Sequence, residues 1–128
     1  MKKLLLVTLI MLTIGCKSQT ANNYKSLSAS EFQEKLKTNE KPQILDVRTA
    51  AEFSTGHIVN AINIDWNGNN FDEKIKQFDK TKPIFVNCQG GGRSKKASDK
   101  LFSVGFKTIY ELNGGMNDWL SNNLPLTK

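Results

Sequence analysis

Cysteine, histidine and arginine are scarce in this chain of 128 residues. Two cysteines, Cys16 and Cys88, and one histidine, His57, are present. Because Cys16 lies in a leading segment of distinct composition, the rest of the chain holds a single thiol, which cannot form an internal disulfide. One cysteine and one histidine also cannot supply the four ligands of a structural zinc site. The sequence therefore predicts a domain with neither a disulfide bond nor a structural metal site of the Cys/His kind.

Arginine occurs only at Arg48 and Arg93 among 18 basic residues. A guanidinium presents a planar fork of donors that a lysine ammonium cannot replace, so we expect geometric roles at these two positions. Without Lys2 and Lys3 of the leading segment, 16 basic residues face 12 acidic ones, a net charge of +4. The lysines are scattered and do not alternate with aromatic residues, so nucleic-acid binding is not expected.

The leading segment has the order of charges and apolar residues of a signal peptide. A charged start precedes the apolar run Leu4–Ile14, and Gly15 precedes Cys16. This run is shorter than the ~20 residues that span a bilayer and fits a signal-peptide core, so residues 1–15 are predicted to be a signal peptide. The small residue before Cys16 resembles the lipobox of bacterial lipoproteins, in which the cysteine is lipidated and becomes the mature N-terminus.

Lipidation at Cys16 would tether the protein to a membrane surface. We therefore expect a membrane-anchored lipoprotein of the cell envelope that faces the periplasm or the cell exterior. A plain secretory signal, giving a soluble secreted or periplasmic protein, and an uncleaved anchor are the alternatives. Residues 16–23 are polar and aperiodic, which predicts a tether. Residues 24–128 have the length of one domain.

Apolar segments of strand length alternate with segments of helical spacing throughout this domain. Predicted strands cover 43–47, 83–87 and 108–112, and predicted helices cover 28–37, 69–78, 94–104 and 116–122. A short helix is also predicted after a capping-box pattern at Thr49 and Glu52. This alternation predicts an α/β fold with a mainly parallel central sheet and helices on both faces. In such sheets ligands bind at the carboxyl ends of the strands.

Cys88 directly follows the predicted strand 83–87, and three glycines, 90–92, separate it from an Arg-Ser pair that opens a helix. Glycines can adopt positive φ, which lets successive backbone N–H groups converge on one point. The start of the helix adds unpaired N–H groups and a partial positive charge. These features favour a thiolate, the nucleophilic form of cysteine. The alternative is an incidental buried cysteine in a glycine-rich loop.

The motifs together resemble the rhodanese family. The resemblance covers nearly the whole domain in order and rests on Ile44-Leu-Asp-Val-Arg-Thr49, Glu52-Phe53, Gly56-His57-Ile58, Ala61-Ile-Asn-Ile64, Cys88–Ser94, Gly105-Phe106 and Leu112–Trp119. It implies the rhodanese-like three-layer fold and a sulfurtransferase activity. No cofactor and no metal are implied.

In the roles that the resemblance implies, Cys88 is the catalytic nucleophile. It accepts a sulfane sulfur as a persulfide and passes it to an acceptor. Asp46 and Arg48 support the active site, and His57 is structural. The persulfide is bound by the loop after the nucleophile, through Gln89, Gly90, Gly91, Gly92, Arg93 and Ser94.

The expected partners are a small sulfur-donor anion or persulfide and a thiol acceptor. Thiosulfate-using members often carry arginine or lysine at the position of Gln89, so the neutral amide weakens the case for a doubly charged donor. Lys95 and Lys96 are expected on a solvated helix face. Because the domain holds no second cysteine to resolve the persulfide, the acceptor must be external.

Two other functions fit parts of the pattern. Cysteine-dependent phosphatases also place a cysteine, an amide cradle and an arginine at a strand-to-helix turn. Their loop, however, is one residue longer than the four residues between Cys88 and Arg93. Some rhodanese-like domains are catalytically silent binding or regulatory modules, usually when the cysteine is lost, whereas here Cys88 is retained.

The lipobox interpretation is tested by expressing the full chain in a bacterial host with radiolabelled palmitate. We expect Cys16 to take up label, and globomycin, which inhibits the lipoprotein signal peptidase, to cause accumulation of the precursor. The Cys16→Ser chain should remain unlabelled, and Cys88→Ser is the matched control that should be labelled normally. A labelled Cys16→Ser chain would show that the interpretation is wrong.

Overall fold

A computed structural model describes residues 23–128 of the chain. The predicted signal peptide, the lipidation site at Cys16 and all of the predicted tether except Asn23 lie outside the described residues. Within 23–128, no helix combines the length and apolar character needed to cross a bilayer.

A five-stranded parallel sheet forms the centre of the domain. Its strands follow the order β1-β5-β4-β2-β3, and every pair of neighbours is parallel. The strands are β1 (Lys25–Leu27), β2 (Gln43–Asp46), β3 (Ile62–Asn63), β4 (Ile84–Asn87) and β5 (Ile109–Leu112). The helices are α1 (Ala29–Lys37), α2 (Ala50–Ser54), α3 (Phe71–Lys74), α4 (Gly92–Ser103) and α5 (Gly115–Ser121). The predicted α/β architecture with a parallel sheet is confirmed.

The two faces of the sheet are covered by different helices, so the domain has three layers. Along β4 the side chains alternate, with Ile84 and Val86 packing against α3 and α4 on one face. Phe85 packs against α1 and α5 on the other face. A central strand that is covered on both faces needs apolar residues at consecutive positions, which explains the uninterrupted apolar run before Cys88.

Side-chain caps set the starts of two helices where the sequence predicts them. Ser28 Oγ accepts a hydrogen bond from the amide of Glu31 at the start of α1. Thr49 and Glu52 form a reciprocal capping box at the start of α2, in which each side chain bonds the other residue's amide. These contacts satisfy N–H groups that have no partner within the helix.

Three local predictions differ from the structure. The helix predicted over 69–78 consists of α3 followed by a 3₁₀ turn over Ile75–Gln77, although its predicted apolar stripe of Phe71, Ile75 and Phe78 is buried. α4 begins at Gly92, two residues before the predicted start. β1 was not predicted because it is a mostly exposed edge strand of three residues, too short for a periodic pattern.

Phe32 of α1 contacts Phe85 and Trp119 edge-on, with ring centroids 5.3 and 6.1 Å apart, and is fully buried. We expect Phe32→Ala to lower the free energy of unfolding by ~3–5 kcal/mol, because it removes buried area and leaves a cavity. Phe102→Ala is the matched control: Phe102 is 47% exposed, so the change should stay within about 0.5 kcal/mol. Urea unfolding measures both, and equal losses would contradict this description of the core.

Candidate active site

Cys88 lies at the carboxyl end of β4, where the chain turns into α4. Its side chain is 1% exposed. The amide of Gly91 donates a hydrogen bond to Sγ at 3.0 Å, and Sγ lies 3.3 Å from Ser94 Oγ. The sulfur thus lies beneath the loop, in contact with one backbone donor, Gly91, at the helix start.

The backbone around Cys88 presents several unpaired donors. Among the three loop glycines only Gly91 has positive φ, at +103°, and it is the N-cap residue of α4. Within residues 23–128, no hydrogen bond is donated by the amides of Gln89, Gly90, Gly92, Arg93 and Ser94. Because unpaired N–H groups at a helix start attract anions, the loop provides an environment for a negatively charged sulfur.

The carbonyl groups of the loop are held by α5. The amides of Met116 and Asn117, in the first turn of α5, donate to the carbonyls of Cys88 at 2.9 Å and of Gln89 at 3.1 Å. Gly115 makes this approach possible, since its φ is +59° and a Cβ there would lie 2.5 Å from the Cys88 carbonyl oxygen. Any other residue at this position would displace the loop.

Asp46 and Arg48 form a buried ion pair that reaches the loop. Arg48 donates to both carboxylate oxygens of Asp46, with Nη2 and Oδ2 2.8 Å apart. Nη2 also donates to the Gly56 carbonyl at 2.8 Å, and Nη1 donates to Gln89 Oε1 at 3.1 Å. The pair therefore links β2, the turn after α2 and the residue after Cys88. These contacts fit the supporting role that the resemblance implies.

The side chain of Arg93 forms an ion pair with Glu52. Its Nη1 and Nη2 donate to the two carboxylate oxygens at 2.7 and 2.9 Å. The hydrogen bonds from Arg93, aided by those from Thr49, lower the pKa of Glu52 from 4.5 to about 2. The same partner raises the pKa of Arg93, and the nearby Cys88 adds to that shift. The guanidinium therefore ties α4 to α2, while the Arg93 amide stays among the loop donors.

Glu111 is a carboxylate buried beside the loop and was not among the predicted site residues. It lies on β5 and accepts hydrogen bonds from Ser26 Oγ, from Ser94 Oγ at 2.8 Å and from Lys95 Nζ at 3.3 Å. Lys95 and Lys96 both reach the expected solvated face: Lys96 is exposed, and the Lys95 side chain is 42% exposed while its ammonium turns toward this carboxylate. A signal was present in the sequence, since Glu111 interrupts the apolar strand Ile109–Leu112.

Comparisons with known proteins agree with the fold. The family model described as the rhodanese-like domain matches residues 28–122. The chain belongs to the rhodanese-like family. Its solved relatives include the rhodanese-related protein of Thermoplasma volcanium, at a TM-score of 0.71 and 32% identity, covering 81% of this chain and 98% of that one. A rhodanese-like domain protein of Staphylococcus aureus matches at 0.66 and 33% identity, covering 74% and 90%.

Curated relatives of this rhodanese-like domain carry two different names. A tRNA uridine(34) hydroxylase of Chlamydia felis is 35% identical over 112 residues, 83% of this chain and 34% of that protein. Thiosulfate sulfurtransferase 16, chloroplastic, of Arabidopsis thaliana is 37% identical over 91 residues, 63% of this chain and 76% of that protein. The chain thus spans about a third of the hydroxylase it matches and about three quarters of the sulfurtransferase.

His57 of this rhodanese-like domain makes structural contacts. Its ring stacks on Phe53, with centroids 3.6 Å apart, and its Nδ1 lies 3.1 Å from the Phe53 carbonyl oxygen. Its backbone pairs with Thr127. In the same turn Asn60 adopts positive φ, +67°, which asparagine tolerates better than most residues. Within residues 23–128 no three His, Cys, Asp or Glu side chains cluster in a way that could hold a metal ion.

The pair of Glu52 with Arg93 predicts a pH-dependent contribution to stability. Because folding lowers the pKa of Glu52 from 4.5 to about 2, the contribution is complete above pH 4.5 and is lost as the pH falls toward 2. Between about pH 5 and pH 2.5, the melting temperature of the wild type should therefore fall further than that of Glu52→Gln. Glu73→Gln, which removes an exposed pair with Lys76, should follow the wild type. If the melting temperatures of the wild type and of Glu52→Gln fell in parallel with pH, the Glu52–Arg93 pair would not be the source of the pH dependence.

Proposed function

We propose that this rhodanese-like domain is a sulfurtransferase that carries a sulfane sulfur on Cys88 as a persulfide. The observation that carries the proposal is the hydrogen bond from the Gly91 amide to Sγ, with the neighbouring loop amides unpaired within residues 23–128. A persulfide is a soft anion that adds one sulfur beyond Sγ, and backbone N–H groups at a helix start can stabilise it.

The proposed cycle has two displacement steps and no net oxidation. In the first, the Cys88 thiolate attacks the outer sulfur of a donor persulfide. The bond between the two donor sulfurs breaks, and the inner sulfur leaves as a thiolate. In the second, an external thiolate attacks the outer sulfur held on Cys88, becomes a persulfide and releases the Cys88 thiolate. The acceptor is external because Cys88 is the only cysteine that the structure describes.

The charges around the loop favour a donor of low charge. Three cationic side chains near the loop are each paired with a carboxylate: Arg48 with Asp46, Arg93 with Glu52, and Lys95 with Glu111. The residue after the nucleophile, Gln89, is neutral and is hydrogen-bonded to Arg48 and Asn117. A doubly charged donor such as thiosulfate would meet little unbalanced positive charge, whereas a thiol persulfide carries at most one negative charge at its sulfurs.

The name of the Arabidopsis relative, a thiosulfate sulfurtransferase, supports transfer of sulfur. The hydroxylase name carries less weight here, because this chain covers only 34% of that protein. We also propose that the domain works at a membrane surface outside the cytoplasm, tethered through Cys16. That placement limits the acceptor to a thiol or a protein that is present in the same compartment.

The proposal is tested by incubating the full chain with glutathione persulfide or with thiosulfate and measuring the mass of the Cys88 peptide by mass spectrometry. We expect glutathione persulfide to add one sulfur atom to Cys88, with a kcat/KM at least about tenfold above that of thiosulfate. One unbalanced charge at ~4 Å is worth about 1–4 kcal/mol, which is enough to produce that preference. Release of thiocyanate after addition of cyanide measures turnover.

Cys88→Ser should take up no sulfur at this position. Gln89→Lys adds a cation beside the nucleophile and should raise the use of thiosulfate relative to glutathione persulfide. No adduct with either donor would overturn the proposal. In that case turnover of a phosphate monoester would indicate a phosphatase, and inertness toward all three substrates would indicate a silent binding module.

A further inference from the structure

A hydrogen-bonded path connects the buried thiol to a buried carboxylate. Cys88 Sγ lies 3.3 Å from Ser94 Oγ, and Ser94 Oγ lies 2.8 Å from Glu111 Oε1. All three side chains are shielded from solvent, with Ser94 and Glu111 fully buried. The path crosses from β4 through the first turn of α4 to β5, so it exists only in the folded domain.

The single hydroxyl proton of Ser94 gives this path a direction. Ser94 Oγ can donate to Glu111 or to the Gly91 carbonyl, at 2.8 and 3.0 Å. A hydrogen bond to a carboxylate is stronger than one to a neutral carbonyl, so the Ser94 hydroxyl donates to Glu111. The lone pairs of Oγ then accept the S–H group of Cys88.

Burial of the thiol favours a proton acceptor within the protein. With the Cys88 side chain 1% exposed, its proton has little direct access to water, yet only the thiolate is nucleophilic. We propose that Glu111 accepts the thiol proton of Cys88 through Ser94, which activates the nucleophile. This inference deepens the proposed sulfur transfer and rests on it for its purpose.

The transfer is balanced without any other reactant. The S–H bond of Cys88 breaks as an O–H bond forms on Ser94, and the original hydroxyl proton of Ser94 moves to Glu111 Oε1. The product is a thiolate that accepts a hydrogen bond from Ser94 and a neutral carboxyl group that donates to Ser94. Both end states leave every member of the path hydrogen-bonded, and no electrons are transferred.

Several charged and titratable groups face the two ends of this path. Lys95 on α4 lies beside Glu111. Tyr24, just before β1, has its pKa raised mainly by burial, with smaller contributions from the negative charges of Asp99 and Glu111. Arg93 is a charged group near Cys88, and Arg48 contacts the next residue, Gln89. Ser26 on β1 donates to the other oxygen of Glu111 and does not touch the path.

Proton acceptance and simple charge repulsion predict opposite results for Glu111→Gln. If Glu111 only repelled a neighbouring thiolate, its neutralisation would make Cys88 more reactive. If it accepts the proton, the same variant loses the acceptor and Cys88 becomes less reactive in acidic solution, where the thiol is protonated. The sign of the change therefore separates the two roles.

The test measures alkylation of Cys88 by iodoacetamide in the full chain from about pH 5 to pH 9, following the Cys88 peptide by mass spectrometry. Because general-base contributions are about 10²–10⁴-fold, Glu111→Gln and Ser94→Ala should each slow alkylation at about pH 6 by tenfold or more. Ser94→Thr keeps the hydroxyl and should retain the rate.

Ser98→Ala is the matched control. Ser98 is equally buried one turn further along α4, but its hydroxyl donates to the Ser94 carbonyl and does not contact the sulfur, so the rate should be unchanged. Faster or unchanged alkylation in Glu111→Gln would overturn the inference. If that variant fails to fold, as judged by its melting curve, an unchanged rate in Ser94→Ala would overturn it instead.

Alkylation requires no sulfur donor, so this experiment is independent of sulfur transfer. If alkylation in acidic solution depends on Ser94 and Glu111 but no persulfide forms, the proposed function would be overturned and the proton path would stand. A chain that forms the persulfide, with alkylation indifferent to Ser94 and Glu111, would overturn the proton path alone.

Discussion

The buried ion pair between Asp46 and Arg48 is the interaction on which the candidate site depends. Removing two charges from water is costly, and the pair offsets that cost through several hydrogen bonds in good geometry. Arg48 uses its remaining donors on Gly56 and Gln89, while Asn63 donates to the backbone carbonyls of both charged residues. Two loops and two strands are thereby fixed relative to each other at the end of the sheet where Cys88 lies.

The Cys88 loop is held between two helix starts that act on opposite sides of its backbone. The first turn of α5 binds the carbonyls of Cys88 and Gln89, and Gly91, the N-cap residue of α4, donates its amide to the sulfur. Gly115 permits the first contact and Gly91 the second. Asn87, just before the nucleophile, is buried with neither side-chain amide atom hydrogen-bonded within the described residues, which is an unfavourable contribution beside the site.

Electrostatics around the loop are largely balanced within the protein. Each of the two arginines faces a carboxylate, and Lys95 faces Glu111, so the positive potential available to a substrate comes mainly from backbone amides. Amides oriented by the fold can stabilise a developing negative charge without reorganising during the reaction. Such a site suits a soft sulfur anion of low charge. In the proposed reaction the backbone amides bind this anion, and side chains are needed only to take the proton from the buried thiol.

Local patterns in the sequence are enough to predict the parallel α/β architecture and the position of the thiol at a strand-to-helix turn. Hydrophobic periodicity, capping residues and glycines act over a few neighbouring positions, so their effects can be predicted from the sequence. The partners of Arg93 and Ser94 are visible only once the chain has folded, because Glu52 and Glu111 lie 41 and 17 residues away in sequence. Contacts of that kind depend on which strands become neighbours and on how side chains pack between them, and no local pattern in the sequence encodes either.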